Sequence, residues 1–178
     1  MDKQMKDFLD EAFFSLVVMA ALRRSKTYQD GAKESVKTDF RKALHKQLRD
    51  LAQQYSTRVD DDYHIKNIEH LADTLSKEFK PAHILVNDRF RIGSAQKALN
   101  LYLKYLWCAG QIPVPPPHCP FDNTIVSKLQ GCGDIKWTTL DDIKKYETLV
   151  EAAHAAAGIT PLAQWELETY NNTTDEDE

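Results

Sequence analysis

The chain has 178 residues, enough for one ordinary domain or at most two small ones. Hydrophobic residues at 42% and charged residues at 28% are globular proportions, which exclude a disordered chain, a collagen and a disulfide scaffold. The net charge of -4 speaks mildly against a general nucleic-acid binder, but four acids close the chain at Asp175–Glu178, and without them the balance is about neutral, which leaves room for a local basic face.

Apolar residues at helical spacing predict a first helix from Lys3 to Arg24, carried by Phe8, Ala12, Phe13, Leu16, Met19 and Ala20. The same rhythm predicts a second helix over Ala32–Tyr55 and a third over Asp60–Phe79, stopped by Pro81. His83–Ile92 is ambiguous between a short strand, a helical turn and a packed loop. Gly93 and Ser94 then open a strong helix, Ala95 to Cys108, ended by Gly110. Ile112–Pro120 holds five of the seven prolines and reads as a stiff extended loop. Asp122 caps a short helix, Asn123–Leu129, ended by Gly131 and Gly133. Thr139 caps a longer helix through Ala157, stopped by Gly158. Thr160-Pro161 is a cap and first-position pair for a last helix to about Tyr170.

These elements predict an all-α, compact multi-helix single domain over 1–170, followed by a disordered acidic tail over 171–178. The longest apolar stretch, Phe13–Leu22, is too short to span a bilayer. Asp2, Asp7, Asp10 and Glu11 precede it, unlike the positive start of a signal peptide. Together with three cysteines, an odd number, this predicts a cytoplasmic chain with no membrane partner. No cofactor is expected. Cys108, His118, Cys119 and Cys132 fit no standard zinc spacing, so no metal site is expected either.

The region from Phe90 to Leu129 carries the chemistry. A glycine turn at Gly93 leads into a helix with Lys97 in its first turns, followed by Ala98, Asn100 and Leu103. A loop containing Gly110 and Pro120 then delivers Asp122 to the start of a short helix. This arrangement resembles the helix–hairpin–helix DNA glycosylase superfamily named for its Gly-Pro-Asp loop. The Gln96-Lys97 pair before a long apolar helix looks most like its archaeal 8-oxoguanine glycosylase branch. In place of that superfamily's Leu-Pro-Gly-x-Gly turn stands Arg91-Ile92-Gly93-Ser94, with one glycine.

The resemblance implies a helix–hairpin–helix-like element and a DNA partner carrying a modified base. It implies excision of that base, with or without strand cleavage at the abasic site. Lys97 would be the nucleophile and Asp122 the catalytic carboxylate. A carboxylate stabilises the charge that builds on the sugar, and a helix-capping aspartate stays ionised because backbone N–H groups bond to it. A lysine near a helix N-terminus in apolar surroundings is biased towards the neutral amine that attack requires.

Gly93, Gln96, Trp137, Arg89, Arg91 and Lys128 are the candidate DNA contacts. Arg89, Arg91 and Lys128 would meet phosphates. Trp137, ahead of Trp107 and Trp165, would stack on a base because it precedes a helix cap in a glycine-containing loop. Two other readings remain open. One is a non-catalytic helical DNA- or protein-binding module. The other is a helical ribonuclease or toxin-like protein using Arg41 and His45, which share a helical face.

Overall fold

The structure is a computed structural model and describes residues 2–175, with side chains described through 171. It is all-α, with no strand among the described residues. The helices are α1 (Lys3–Val17), α2 (Glu34–Ala52), α3 (Asp61–Phe79), α4 (Ile92–Cys108), α5 (Asn123–Val126), α6 (Ile143–Ala157) and α7 (Leu162–Asp175). No helix among the described residues is long and apolar enough to cross a membrane.

The first three helices follow the apolar spacing of the sequence. Asp2 and Asp60 cap α1 and α3 by accepting from Met5 N and Tyr63 N. Past Val17 the first helix widens into a π-helical turn, Val18–Arg23, and α2 tightens into a 3₁₀ turn, Gln53–Ser56. The ambiguous stretch before α4 is irregular. Its one sheet-like contact is an antiparallel bridge between Tyr28 and Leu85. Gln29 N donates to Ile84 O and Val86 N to Thr27 O across it.

α4 is the axis of the fold. It is buried almost all round from Ile92 to Leu103, the pattern of a helix surrounded by others rather than lying on a surface. α1, its π turn, α2, α3 and α6 all pack on it. Gly110 closes it in a left-handed conformation, φ 68°, with Gln111 N reaching back to Leu106 O. The proline-rich loop that follows is not a surface strap, since His118, Cys119 and Phe121 in it are fully buried.

From α4 onwards, five boundaries differ from expectation. α4 begins at Ile92, so Gly93 lies inside its first turn rather than in a turn before it. α5 is a single turn ending at Val126. α6 starts at Ile143, because Asp142 accepts from Lys144 N while Thr139 turns back to Lys136 O. α7 starts one residue after Pro161, whose carbonyl accepts from Trp165 N, and it runs on to Asp175. The helical backbone thus enters the segment expected to be disordered, and residues 176–178 of that tail lie outside the described residues.

Gly93 is required, but for a reason other than a turn or a DNA backbone. A Cβ on it would sit 1.8 Å from the Trp137 carbonyl oxygen. Its N–H donates to Leu140 O at 2.8 Å, and the neighbouring Ile92 N–H donates to Asp141 Oδ1 at 3.1 Å. A helix start leaves its first N–H groups in need of acceptors, and here the loop before α6 supplies them. The N–H groups of Ile92, Gly93, Ser94 and Ala95 are all engaged within the protein, so none of these four is left to grip a phosphate as a two-glycine hairpin would.

Gly93→Ala should therefore destabilise the protein by about 1–3 kcal/mol, because overpacking against a carbonyl outweighs the helix preference of alanine of roughly 1 kcal/mol. Urea unfolding measures this, and an unchanged midpoint would refute the close approach.

Candidate functional site

Lys97 and Asp122 come together. Lys97 Nζ donates to Asp122 Oδ2 at 2.7 Å, with the two side chains 6% and 20% exposed. Asp122 also does what its position before α5 implies: its Oδ1 accepts from Ile125 N at 3.1 Å. Burial alone would raise the Asp122 carboxyl. The Lys97 ammonium and the N–H groups of Ile125 and Thr124 outweigh that and hold it below its ordinary value.

The pair opens into a cleft of about 510 Å³, within the ordinary range for a small-molecule site. One α4 face, Lys97, Leu101 and Lys104 at i, i+4, i+7, forms its floor. Leu16, Met19 and Ala20, from α1 and the π turn, and Arg24 just past that turn form one wall, and Glu166 and Tyr170 of α7 form another. Lys104 Nζ donates to Glu166 Oε2 at 2.5 Å, so a second buried ion pair stands beside the first. Burial raises the Glu166 carboxyl above its ordinary value, although Lys104 and Lys97 pull it down. Arg24, Lys104 and Glu166 did not stand out in the sequence, and Leu16 and Met19 did so only as part of the first helix's apolar rhythm. The signal was there in part: Glu166 lies one turn from Leu162 on the buried stripe of α7, where an acid has no business without a partner.

What places Asp122 against Lys97 is the residue next to each. Gln96, fully buried, donates from Nε2 to Phe121 O at 2.9 Å and accepts Phe121 N–H on Oε1 at 3.1 Å. The side-chain amide thereby pairs with both backbone groups of the residue preceding Asp122. Asn100, one turn on, donates from Nδ2 to Cys119 O at 2.9 Å. From there the buried polar chain continues in both directions. His64 Nε2–H donates to Asn100 Oδ1 at 2.6 Å, and Tyr55 OH donates to His64 Nδ1 at 2.5 Å. Tyr146 OH donates to His118 Nδ1 at 2.8 Å. His118 Nε2 lies 3.4 Å from Asp61 Oδ1 without a hydrogen bond to it, and His154 Nε2 lies 2.8 Å from Asp61 Oδ2. Burial holds His64 well below its ordinary pKa and lowers His118 as well. Asp61 is brought down to about 2, chiefly by His118.

The other expected contacts do not line the cleft. Gln96 and Gly93 are enclosed by protein and act through packing and hydrogen bonds, not as DNA contacts. Trp137 is 2% exposed and lies behind Lys97, its ring centroid 5.9 Å from Nζ, so it backs the lysine and offers no face to a base. Trp107 and Trp165 pack against the core. Arg89 is clamped between Asp141, at 2.9 and 3.0 Å, and Asp73, at 2.5 Å. Arg91 donates to Ser25 O at 2.5 Å. Lys128 is exposed but does not line the cleft.

Arg41 and His45 do not share a groove. Arg41 is held by Glu34, while His45 stacks flat on Phe14 at 4.0 Å with Nε2 3.0 Å from Asp10 Oδ2. Asp10, Glu11 and His45 are the one grouping of metal-ligand type among the described residues. Tyr102 OH and Arg49 already serve Asp10, which makes it a junction of α1, α2 and α4.

No protein-family profile, no curated protein and no solved structure matches this chain.

Two outcomes follow from the geometry. Gln96→Leu leaves the buried N–H and C=O of Phe121 unpaired and should cost about 2–4 kcal/mol in urea unfolding. A loss under ~0.5 kcal/mol would show that the amide pairing holds nothing. Because His64 is neutral when folded and takes up a proton when unfolded, its contribution is complete above the ordinary value of 6.5 and is lost as pH falls below it. Thermal stability should fall by ~1 kcal/mol or more between pH 7 and pH 5, and His64→Gln should flatten that slope. A slope identical to wild type would contradict the assignment.

Proposed function

We propose that the chain is a DNA N-glycosylase with the chemistry of the helix–hairpin–helix Gly-Pro-Asp superfamily, acting on a modified base turned out of the duplex. One observation carries the reading: a lysine and an ionised aspartate in direct contact, both facing one cleft. Cations stand round it, since Arg24 and Lys104 line it, and Arg23 and Lys26 are exposed on the segment that leads away from Arg24. Met19 and Leu16 are 50% and 42% exposed at its wall, apolar side chains of the kind that enter a base stack when a nucleotide leaves it.

Lys97 Nζ donates to Asp122 Oδ2, so the nitrogen must give up that proton in the course of the reaction. The C1′–N bond breaks with its electron pair passing to the base, and the Asp122 carboxylate stabilises the oxocarbenium left behind. The Lys97 ammonium gives its proton to the departing base. The amine so formed adds to C1′. The C1′–O4′ bond then opens, O4′ takes a proton from the nitrogen, and an iminium joins Lys97 to the sugar.

A purely binding module would present Lys97 to solvent and its apolar patch elsewhere. Lys97 is buried in the cleft, which favours the catalytic reading over that one.

Borohydride in the presence of an oligonucleotide with 8-oxoguanine or an abasic site should join wild-type protein covalently to the strand, and Lys97→Gln should abolish the adduct. Asp122→Asn should slow base release by about 100-fold or more while leaving DNA affinity within a few-fold. Equal trapping by wild type and Lys97→Gln on the same strand would overturn the proposal.

A further inference from the structure

The cleft holds a second carboxylate that base excision does not use. Glu166 reaches it from α7, 4% exposed, paired with Lys104 two turns along α4 from Lys97 and on the same face. Docking α7 does not need an acid at this position, because Leu162 and Ala163, each 1% exposed, already bury that end of the helix. A buried ion pair adds little stability over an apolar pair of similar size.

The two carboxylates are also unequally free to take a proton. Asp122 is held by Lys97 and by the N–H groups of α5. Glu166 faces a single ammonium, and Asp122 nearby adds negative charge to its surroundings. Carboxyls in one site whose environments push them in opposite directions divide acid and base work between them.

We propose that Glu166 is the general base of a strand-cleaving step that follows base release at this same site, the inference resting on the glycosylase reading above. Once the iminium joins Lys97 to C1′, the Glu166 carboxylate removes a proton from C2′. The C–H electron pair forms the C1′–C2′ double bond and the iminium electrons return to nitrogen. The enamine then pushes its electrons back towards C3′ and the C3′–O bond breaks, expelling the strand as a 5′-phosphate. Water hydrolyses the unsaturated iminium and frees Lys97. Glu166 gives its proton to solvent, and Lys104 keeps the carboxyl ionised for the next cycle.

The test uses the full chain and one oligonucleotide carrying a preformed abasic site, scored in parallel for borohydride trapping and for strand cleavage without alkali. Glu166→Gln should lower cleavage at least about tenfold more than it lowers trapping, as expected for loss of a general base. Equal effects on both readouts would overturn the proposal and reduce Glu166 to a residue that shapes the cleft.

Lys104→Met, which keeps Glu166 but removes its counter-ion, should move the acidic limb of the cleavage profile upward by about one pH unit without moving that of trapping. An unmoved cleavage limb would count against Glu166. Wild type that neither traps nor cleaves would instead remove the glycosylase reading itself, an outcome distinct from either result on the variants.

Discussion

The pairing of the Gln96 amide with the backbone of Phe121 is the constraint on which the site depends. α4 and the proline-rich loop are separated in sequence by the turn at Gly110, and nothing in a run of prolines fixes where the loop returns. A loop with few N–H donors needs its remaining backbone groups matched, or it cannot be buried. Gln96 matches both groups of Phe121, and Asn100 takes the carbonyl of Cys119. Asp122 is the next residue after Phe121 and Lys97 the next after Gln96, so the amide pair sets the ion pair. Tyr146, His118, Asn100, His64 and Tyr55 extend the same lattice to α6 and α3. All of its hydrogen-bond directions are mutually consistent with neutral histidines, as their depressed pKa values require.

The cleft itself balances its charges locally. Two lysines and two carboxylates line it as two close pairs, one at the end nearest α5 and one against α7. Such pairing lets four ionisable groups sit in a largely buried place without leaving a bare charge in low dielectric. It also means that each proton movement alters the neighbouring group. In the proposed reaction, proton loss from Lys97 would leave Asp122 without its counter-ion just as positive charge develops on the sugar.

Much of the scaffold was legible in the residues. Helical spacing located α1, α2 and α3, and Gly110 and Gly158 marked true ends. Asp122 was readable as a cap from its place before Asn123–Val126. The errors have physical causes. Thr139 was the expected cap of α6, but Asp142 takes that place because its carboxylate reaches Lys144 N. Gly93 was seen to matter, but sequence alone shows neither φ nor the Trp137 carbonyl against it. Arg89 and Arg91 read as free cations because their partners, Asp73, Asp141 and Ser25, are distant in sequence. Lys104 and Glu166, 62 residues apart, were hidden for the same reason.

The most direct measurement is a crystal structure of Lys97→Gln bound to duplex DNA containing a tetrahydrofuran abasic-site analogue. The account predicts the sugar ring outside the helix and inside the cleft, its C1′ position facing the Asp122 carboxylate, with Met19 or Leu16 near the vacated stack and Arg24 near a flanking phosphate. DNA bound on another face, or a sugar still within the duplex and remote from Asp122, would contradict it.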